Sequence, residues 1–378
     1  MRFGKIFFFT SLILCMVFAV ICWCVPFYEI FNIKENVYIS KDGKTESFGG
    51  LVTTKYNEDT ETVDFMLFNA VKIHSVVASE GKKVYLGGDT LGFSYQGDGV
   101  LVVANNANSN LETGDIIKSI NGQEIDSVRD LTETINSNAD NEAVIKLVRK
   151  GQNIETKVKP AYDVISQRYK LGVWARDSMS GIGTLTYIDP ETGRFGALGH
   201  PIKEQRTDSI LDVSDGTVHN CAILGVKRAI RGEPGELRGI FVRSNSEMGE
   251  VDKNCDCGMY GTLNLENEKF QNRQLVEVGG RMSAHPGKAQ IYSSIDGKTI
   301  RAYDIEIIKT NYQGASSPKN MIFKVTDNRL ISATGGIVQG MSGSPIIQDG
   351  KLIGAVTHVF VNDATKGFAI YIDNMLNQ

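Results

Sequence analysis

Proline is scarce in this chain, 8 residues in 378, while glycine is abundant at 39. That balance excludes a proline-rich or disordered chain and suits many tight turns between short strands, so a mainly β body is expected rather than a helical bundle. There is no basic excess: 40 Lys and Arg against 44 Asp and Glu leave a net charge of -4. Such a chain lacks the surface that neutralises phosphates, and nucleic acid is not an expected partner. Cysteine is sparse too, and it divides by region. Cys15, Cys22 and Cys24 lie in an apolar N-terminal run, and Cys221, Cys255 and Cys257 beyond it. Three thiols cannot all pair internally, which argues against a disulfide framework. No H-E-x-x-H occurs, and the spacing in His219-x-Cys221 and Cys255-x-Cys257 is too tight for structural zinc, so neither metal nor cofactor is expected. The glycine-rich stretches GGDTLG and GALGHP lead into no Walker-type lysine and helix, which excludes a phosphate-cradling loop.

With 42% hydrophobic and 22% charged residues, the chain can bury a sizeable core, and its length suits two or three globular units. Residues 6–27, IFFFTSLILCMVFAVICWCVPF, carry no charge. At 1.5 Å per residue in a helix they are long enough to cross a bilayer. Arg2 and Lys5 precede the run, so the positive-inside rule leaves the N-terminus in the cytoplasm and everything after it on the far side. An uncleaved anchor over 1–27 is preferred to a signal peptide, because the run exceeds a normal h-region and no small-x-small site follows. Residues 28 to about 62 are polar and turn-rich and suit an exposed linker. Asp64–Ser79 reads as β-rich, so 28–80 is taken as linker plus a pre-domain β segment.

From Lys82 to Pro160 the pattern becomes specific. KVYLGGDTLGFS is followed by GVLVVANN, LETGDIIKSINGQEI, SVRDLTETINS and AVIKLVRKGQNIETKVKP. Ser127 with Asp130 makes a helix start, and Val128, Leu131 and Ile135 share one apolar face. Asn121-Gly122 is a hairpin signal. These stretches resemble a PDZ domain, placed over 81–162. The resemblance implies a carboxylate-binding loop at Leu91, Gly92 and Phe93, able to take peptide C-termini or the chain itself.

The tract Gly340-Met341-Ser342-Gly343-Ser344-Pro345, followed by IIQDGKLIGAVTHVF, has the form of a nucleophile loop leading into a hairpin. Acyl transfer needs an exposed hydroxyl on a tight turn with backbone N–H groups aimed at the developing oxyanion. Gly340 and Ser342 are the expected donors. The loop resembles the G-D-S-G-G-P loop of trypsin-like peptidases, with Met341 in place of the acid that receives the freed N-terminus in trypsin. A serine hydroxyl needs a base beside it, and His200, after the hairpin-like GIGTLTYIDPETGRFGALGH, is the best placed of five histidines. His74, His219 and His285 lack such a setting, and His358 reads as a strand histidine that could line a substrate pocket. The acid stays open on the residues alone. Asp189, Asp208, Asp212 and Asp215 lie nearer to His200 than Asp327 does, although Asp189 and Asp215 are explained as turn residues.

GALGHPI, PGE at 234–236 and TDNRLISATGGIVQGMSGSPIIQDGKLIGAVTHVFVND, in the order anchor, PDZ, peptidase, resemble the SpoIVB family of sporulation serine peptidases. That resemblance implies His200 as base, Ser342 as nucleophile, Asp327 as acid and a chymotrypsin-like double β-barrel over 163–378. It further implies a signalling endopeptidase that cleaves itself within 28–80 and cuts a membrane-embedded regulator, so that a sigma-factor-processing metalloprotease is activated. It would be held by its anchor in the inner forespore membrane, facing the intermembrane space. The competing class is a non-catalytic PDZ scaffold that binds peptide C-termini at the membrane.

Overall fold

The computed structural model describes residues 37–39, 47–48, 52–105, 109–138, 141–203, 210, 213, 215–241, 247–311 and 318–378. The expected anchor at 6–27 lies outside them. Among the described residues no helix is long and apolar enough to cross a membrane.

Strands Val52–Asn57, Thr62–Leu67 and Val71–Glu80 form an antiparallel sheet, flanked by Ser47–Phe48 on one edge and by Val37–Ile39, running parallel, on the other. Period-two alternation turns Val52, Val63, Phe65, Val76 and Ala78 to one face, where they build a small core of their own. This corrects the reading of 28–62 as an exposed linker. Within Val52–Asn57, Val52 and Thr54 are buried, Lys55 is exposed, and exposure continues through the turn at 58–61. The first strand is also tied to the main body, since the Tyr38 N–H donates to the buried Asp373 carboxylate at 2.9 Å.

The main body is a continuous run of strands with three contiguous cores. One gathers Leu91, Phe93, Leu185, Phe195, Val218 and Met259 among others. A second gathers Ile291, Ile305, Phe323, Met341, Ile346 and Val356. A third, around Val84, Tyr187, Tyr260, Val278, Leu352 and Ile370, lies between them. The molecule is thus mainly β, with two β-rich halves joined by shared apolar packing.

Strand Thr90–Asn105 pairs with Val173–Thr184 of the strand Val173–Ile188, from Thr90 opposite Thr184 to Asn105 opposite Val173, with register shifts between. Their Leu91 and Leu185 ends belong to the first of these cores. Their Val100, Val102, Val173 and Ala175 ends enter a different core with Ile117, Ile120, Leu131, Ile135, Ile145 and Leu147. A separate unit over about 100–175 is therefore inserted into the main body on a two-stranded ribbon. The expected succession of 81–162 and 163–378 is corrected accordingly, because one strand crosses each end of the inserted unit. Inside it the local readings hold. Ser127 Oγ accepts from the Asp130 N–H at 3.0 Å to start the helix Val128–Asn138. Asn121 at φ 52° and Gly122 at φ 85° turn the hairpin. A further hairpin, Asp349 and Gly350, joins Pro345–Gln348 to Lys351–Phe360. Asp215-Gly216, by contrast, does not turn. It begins the strand Asp215–Lys227, paired on both sides.

Candidate active site

Ser342 and His200 come from opposite halves. The nucleophile loop leaves the helix Asn328–Thr334 at Gly335, whose φ of 80° caps that helix, and ends in the strand Pro345–Gln348. It is sewn to the other half by two buried threonines. Thr184 Oγ1 donates to the Gly340 carbonyl at 2.7 Å, Thr186 Oγ1 to the Gly343 carbonyl at 2.7 Å, and the Thr184 N–H to the Ser342 carbonyl at 2.8 Å. Residues two apart on a strand face the same way, so TLT presents both hydroxyls to the loop. Gly343 is required here: a Cβ would stand 1.9 Å from the Thr184 carbonyl oxygen, at a φ of +94°. Met341, where trypsin-like enzymes keep an acid, is wholly buried in the second core.

Within the loop the N–H groups of Met341, Gly343 and Ser344 donate to Val338, Val356 and Met341 carbonyls. Among the described residues no such bond is made by the Gly340 and Ser342 N–H groups, the two expected oxyanion donors. The Ser342 hydroxyl itself donates to the Thr357 carbonyl at 2.8 Å.

His200 follows a strained turn. The Gly199 N–H donates back to the Ala197 carbonyl at 2.8 Å across Leu198, which sits at φ 67°. A bulky residue there stores backbone strain, here next to the base. The loop beyond is braced by Asn254, whose amide donates to the Ile202 carbonyl at 2.8 Å and accepts from the Ile202 N–H at 2.9 Å. The His200 ring is 4.9 Å, centroid to centroid, from that of His358. His200 Nδ1 donates to the Pro201 carbonyl at 3.0 Å, which fixes the tautomer and leaves Nε2 as the acceptor a general base needs. Burial pushes His200 below its ordinary 6.5, with the Pro201 carbonyl acting the other way. His358 is pushed down to about 4 by burial first, then by His200, Lys319 and Lys203.

Among the described residues Asp327 makes no hydrogen bond to His200. Its carboxylate caps the helix Asn328–Thr334, accepting from the Arg329 N–H at 2.8 Å and the Asp304 N–H at 3.2 Å, and the Arg329 guanidinium binds both its oxygens. The Arg329 hydrogen bonds hold it at about 2. These bonds occupy both of its oxygens in this structure. Asp189 closes the turn at 189–193 and pairs with Lys82, and Asp208 and Asp212 lie outside the described residues.

Leu91, Gly92 and Phe93 are also placed elsewhere than the sequence suggests. They lie mid-strand, paired with Val173–Ile188 on one side and Asp215–Lys227 on the other. Leu91 and Phe93 are buried, and a Cβ on Gly92 would strike the Phe241 ring at 2.5 Å. Strand pairing on both sides excludes a carboxylate-binding loop there. The inserted unit has its groove elsewhere, a cavity of about 560 Å³ between Val128, Leu131 and Ile135 of its helix and Tyr169, Leu171 and Val173. The signal for it was Leu171-Gly172-Val173, with Gly172 at φ 70°.

His74 lies beside Phe65, His219 bonds to Ser94 Oγ at 2.5 Å and stacks on Phe241, and His285 pairs with Asp349 at 2.8 Å. Cys221, Cys255 and Cys257 form no disulfide among the described residues. Sequence reasoning missed Thr184, Thr186 and Asn254 and undervalued His358.

A serine on a glycine-turned loop and an imidazole that keeps Nε2 as an acceptor are the equipment of a serine peptidase. The family model for the SpoIVB peptidase S55 matches residues 167–376, and the chain belongs to that family. No curated protein matches. Among solved structures, the Rv3671c protease from M. tuberculosis in its active form is similar at 15% identity, covering 53% of this chain and 73% of that one, with a TM-score of 0.30. Its inactive serine mutant is similar at 13% identity, covering 52% and 80%, with a TM-score of 0.27. The PDZ domain of an SdrC-like protein from Listeria monocytogenes is similar at 23% identity, covering 21% of this chain and 87% of that one, with a TM-score of 0.20.

Proposed function

We propose that this serine peptidase acts in sporulation as an intercompartmental signalling endopeptidase, with Ser342 as nucleophile, His200 as general base and the Gly340 and Ser342 N–H groups as the oxyanion hole. His200 Nε2 takes the Ser342 proton as Oγ attacks the scissile carbonyl. The two amides receive the charge that develops on its oxygen, and His200 returns the proton to the leaving amine. Water then repeats the cycle on the acyl-enzyme. What carries this reading is that the Ser342 hydroxyl, on one β-rich half, bonds the Thr357 carbonyl, while the ring of the next residue, His358, lies 4.9 Å from that of His200, on the other half.

The N-terminal run of 6–27 would hold the enzyme at the inner forespore membrane with its domains in the intermembrane space. Self-cleavage within 28–80 would release it, with exposed turns at 58–61 and 68–70 in the described part of that stretch. The substrate would be a membrane-embedded regulator, whose cutting activates a sigma-factor-processing metalloprotease. Peptide C-termini, or a segment of the chain itself, would dock in the PDZ-like groove beside Leu171-Gly172-Val173, with Arg168 at its rim. The test is to reconstitute the full chain in vesicles with the candidate regulator and compare wild type with Ser342→Ala. Wild-type-only cutting of the regulator and of residues 28–80 is expected. A regulator left intact by an enzyme that cuts other chains would overturn the substrate, and a folded protein that cuts nothing would leave a binding scaffold.

A further inference from the structure

A buried carboxylate needs partners for both oxygens, because an unpaired one carries its full desolvation penalty. Asp373, in the C-terminal helix Ile372–Leu376, has no exposed surface and meets that need from two distant parts of the chain. The Arg281 N–H donates to its Oδ2 at 2.5 Å, and the Tyr38 N–H donates to its Oδ1 at 2.9 Å. Gly280 allows the close approach: at its φ of +59° a Cβ would stand 2.6 Å from Asp373 Oδ1. Arg281 is itself buried and fixes the next residue of the helix, its Nη2 donating to Asn374 Oδ1 at 2.6 Å. Tyr38 is buried as well, and it belongs to the third core of the main body, with Val84, Tyr187, Val278 and Ile372, and not to the small core of its own sheet. The body thus holds a shaped acceptor and an apolar seat for one residue of the first strand.

That strand lies upstream of the exposed turns at 58–61 and 68–70. Val37–Ile39 pairs in parallel with Ala78–Glu80, and Val52–Asn57 pairs antiparallel with Thr62–Leu67. Glu80 runs almost directly into Lys83–Leu86, which pairs with Val173–Ile188 and Leu275–Val278 inside the main body. A chain cut at 58–61 therefore keeps Val37–Ile39 and Val52–Asn57 hydrogen-bonded to strands that stay with the body, Val52 in one core with Val63 and Phe65, and Tyr38 in its seat. Separating the pieces would expose that apolar surface and strip Asp373 of a partner. We propose that Asp373, Gly280 and Arg281 form a receptor on the peptidase body for the chain's own strand Val37–Ile39, so that a chain cut at 58–61 or 68–70 stays in one piece and only a cut ahead of Val37 frees the body from the N-terminal run. Cleavage within 28–80 then has two products of different fate. One is nicked and still held at the N-terminal run, and the other is released with the strand still seated.

The test uses the full chain in detergent, carrying Ser342→Ala so that it cannot cut itself and held on a resin by a tag ahead of Met1. A recognition sequence for a foreign site-specific protease is inserted after Asp59 in one chain and after Lys34 in another, and the body appearing in the wash is followed over time. Each chain is first shown by its thermal melt to be folded. The chain cut after Asp59 should keep its body on the resin, and the chain cut after Lys34 should lose it. In the Asp59 chain, Tyr38→Ala removes the buried ring but leaves the N–H, and should speed the loss of the cut body by about tenfold to a hundredfold. Tyr38→Phe keeps ring and N–H and should hold as the parent does. A body lost as fast after the Asp59 cut as after the Lys34 cut would overturn the proposal. So would a body that stays on the resin after the Lys34 cut, or a Tyr38→Ala chain that holds as tightly as the parent. The inference rests on the anchor and the self-cleavage of the proposed function, but the tag and the foreign protease stand in for both here. Failure of that reading would show instead as a wild-type chain that does not sediment with vesicles or does not cut itself.

Discussion

The Ser342 hydroxyl donates to the carbonyl oxygen of Thr357 at 2.8 Å, one residue before the histidine that packs on His200. The nucleophile is thus parked on backbone in the free enzyme, and turning it onto His200 Nε2 gives up one half-buried hydrogen bond, worth about 0.5–1.5 kcal/mol. Ser342→Ala removes the same bond. Its unfolding free energy in urea should fall by no more than about 1.5 kcal/mol while proteolysis is lost. A large loss of stability would show that Ser342 is a structural residue.

The pH profile follows from burial. The active form of His200 is unprotonated, and burial holds its pKa below 6.5. Activity should therefore persist as pH falls through 6.5 and drop only below it. A midpoint above 6.5 in the cleavage rate would contradict the buried setting of the base.

Stability has its own pH window. Unfolded histidine titrates near 6.5, whereas folded His358 titrates at about 4. Between those values the unfolded chain binds more protons, so stability should fall as pH drops from about 6.5 to about 4, then lose no more through this group. Asp327 is held at about 2, and its contribution should be lost as pH falls from about 3.8 to 2. Urea melts at half-unit pH steps would resolve the two windows, and His358→Leu should shrink the first, leaving the share of the buried His200, and spare the second.

Asp327 as a helix cap predicts a ranking. Asp327→Ala loses the cap and the Arg329 contacts and should cost about 1–2 kcal/mol, while Asp327→Asn, itself a good cap, should cost less than half as much. Thermal melts of the two variants provide the measurement. Equal destabilisation would mean that the negative charge on Arg329, not the cap, is what matters.

The groove and the catalytic centre should separate. Arg168→Glu reverses charge at the rim of the groove and is far from Ser342 in the chain's architecture, on the inserted unit. Affinity for a fluorescent peptide with a free C-terminal carboxylate should fall several-fold and become less salt-sensitive, while the rate of fluorophosphonate labelling at Ser342 stays unchanged. Unaltered peptide affinity would place the carboxylate site elsewhere.

Much of the local chemistry was readable from residue order. The Asn121-Gly122 and Asp349-Gly350 hairpins, the Ser127 cap and the glycine-framed Ser342 loop all depend on neighbours in sequence, where turn and cap rules act. Long-range relations were not. Leu91-Gly92-Phe93 has the local form of a binding loop, yet pairing with strands some ninety and one hundred and twenty-five residues away makes it core (Gly92 lies opposite Ile182 and His219). Asp327 was read as the acid from a resemblance, while its actual partners, Arg329 and the Asp304 amide, are set by a cap and a cross-strand contact. Thr184, Thr186 and His358 reach their partners only when two halves meet, and the bulge at Thr357 that turns His358 inward leaves no mark in composition or periodicity.

The central claim is that Ser342, served by His200, cuts peptide bonds. The most direct measurement is to incubate purified full-length wild type, Ser342→Ala and His200→Ala in detergent, each shown to be folded by its thermal melt, and to follow fragments of the chain and of added unfolded casein by mass spectrometry. The account predicts fragments from wild type, with a rate at least about a hundredfold lower in both variants. Fragments formed equally by all three would contradict it.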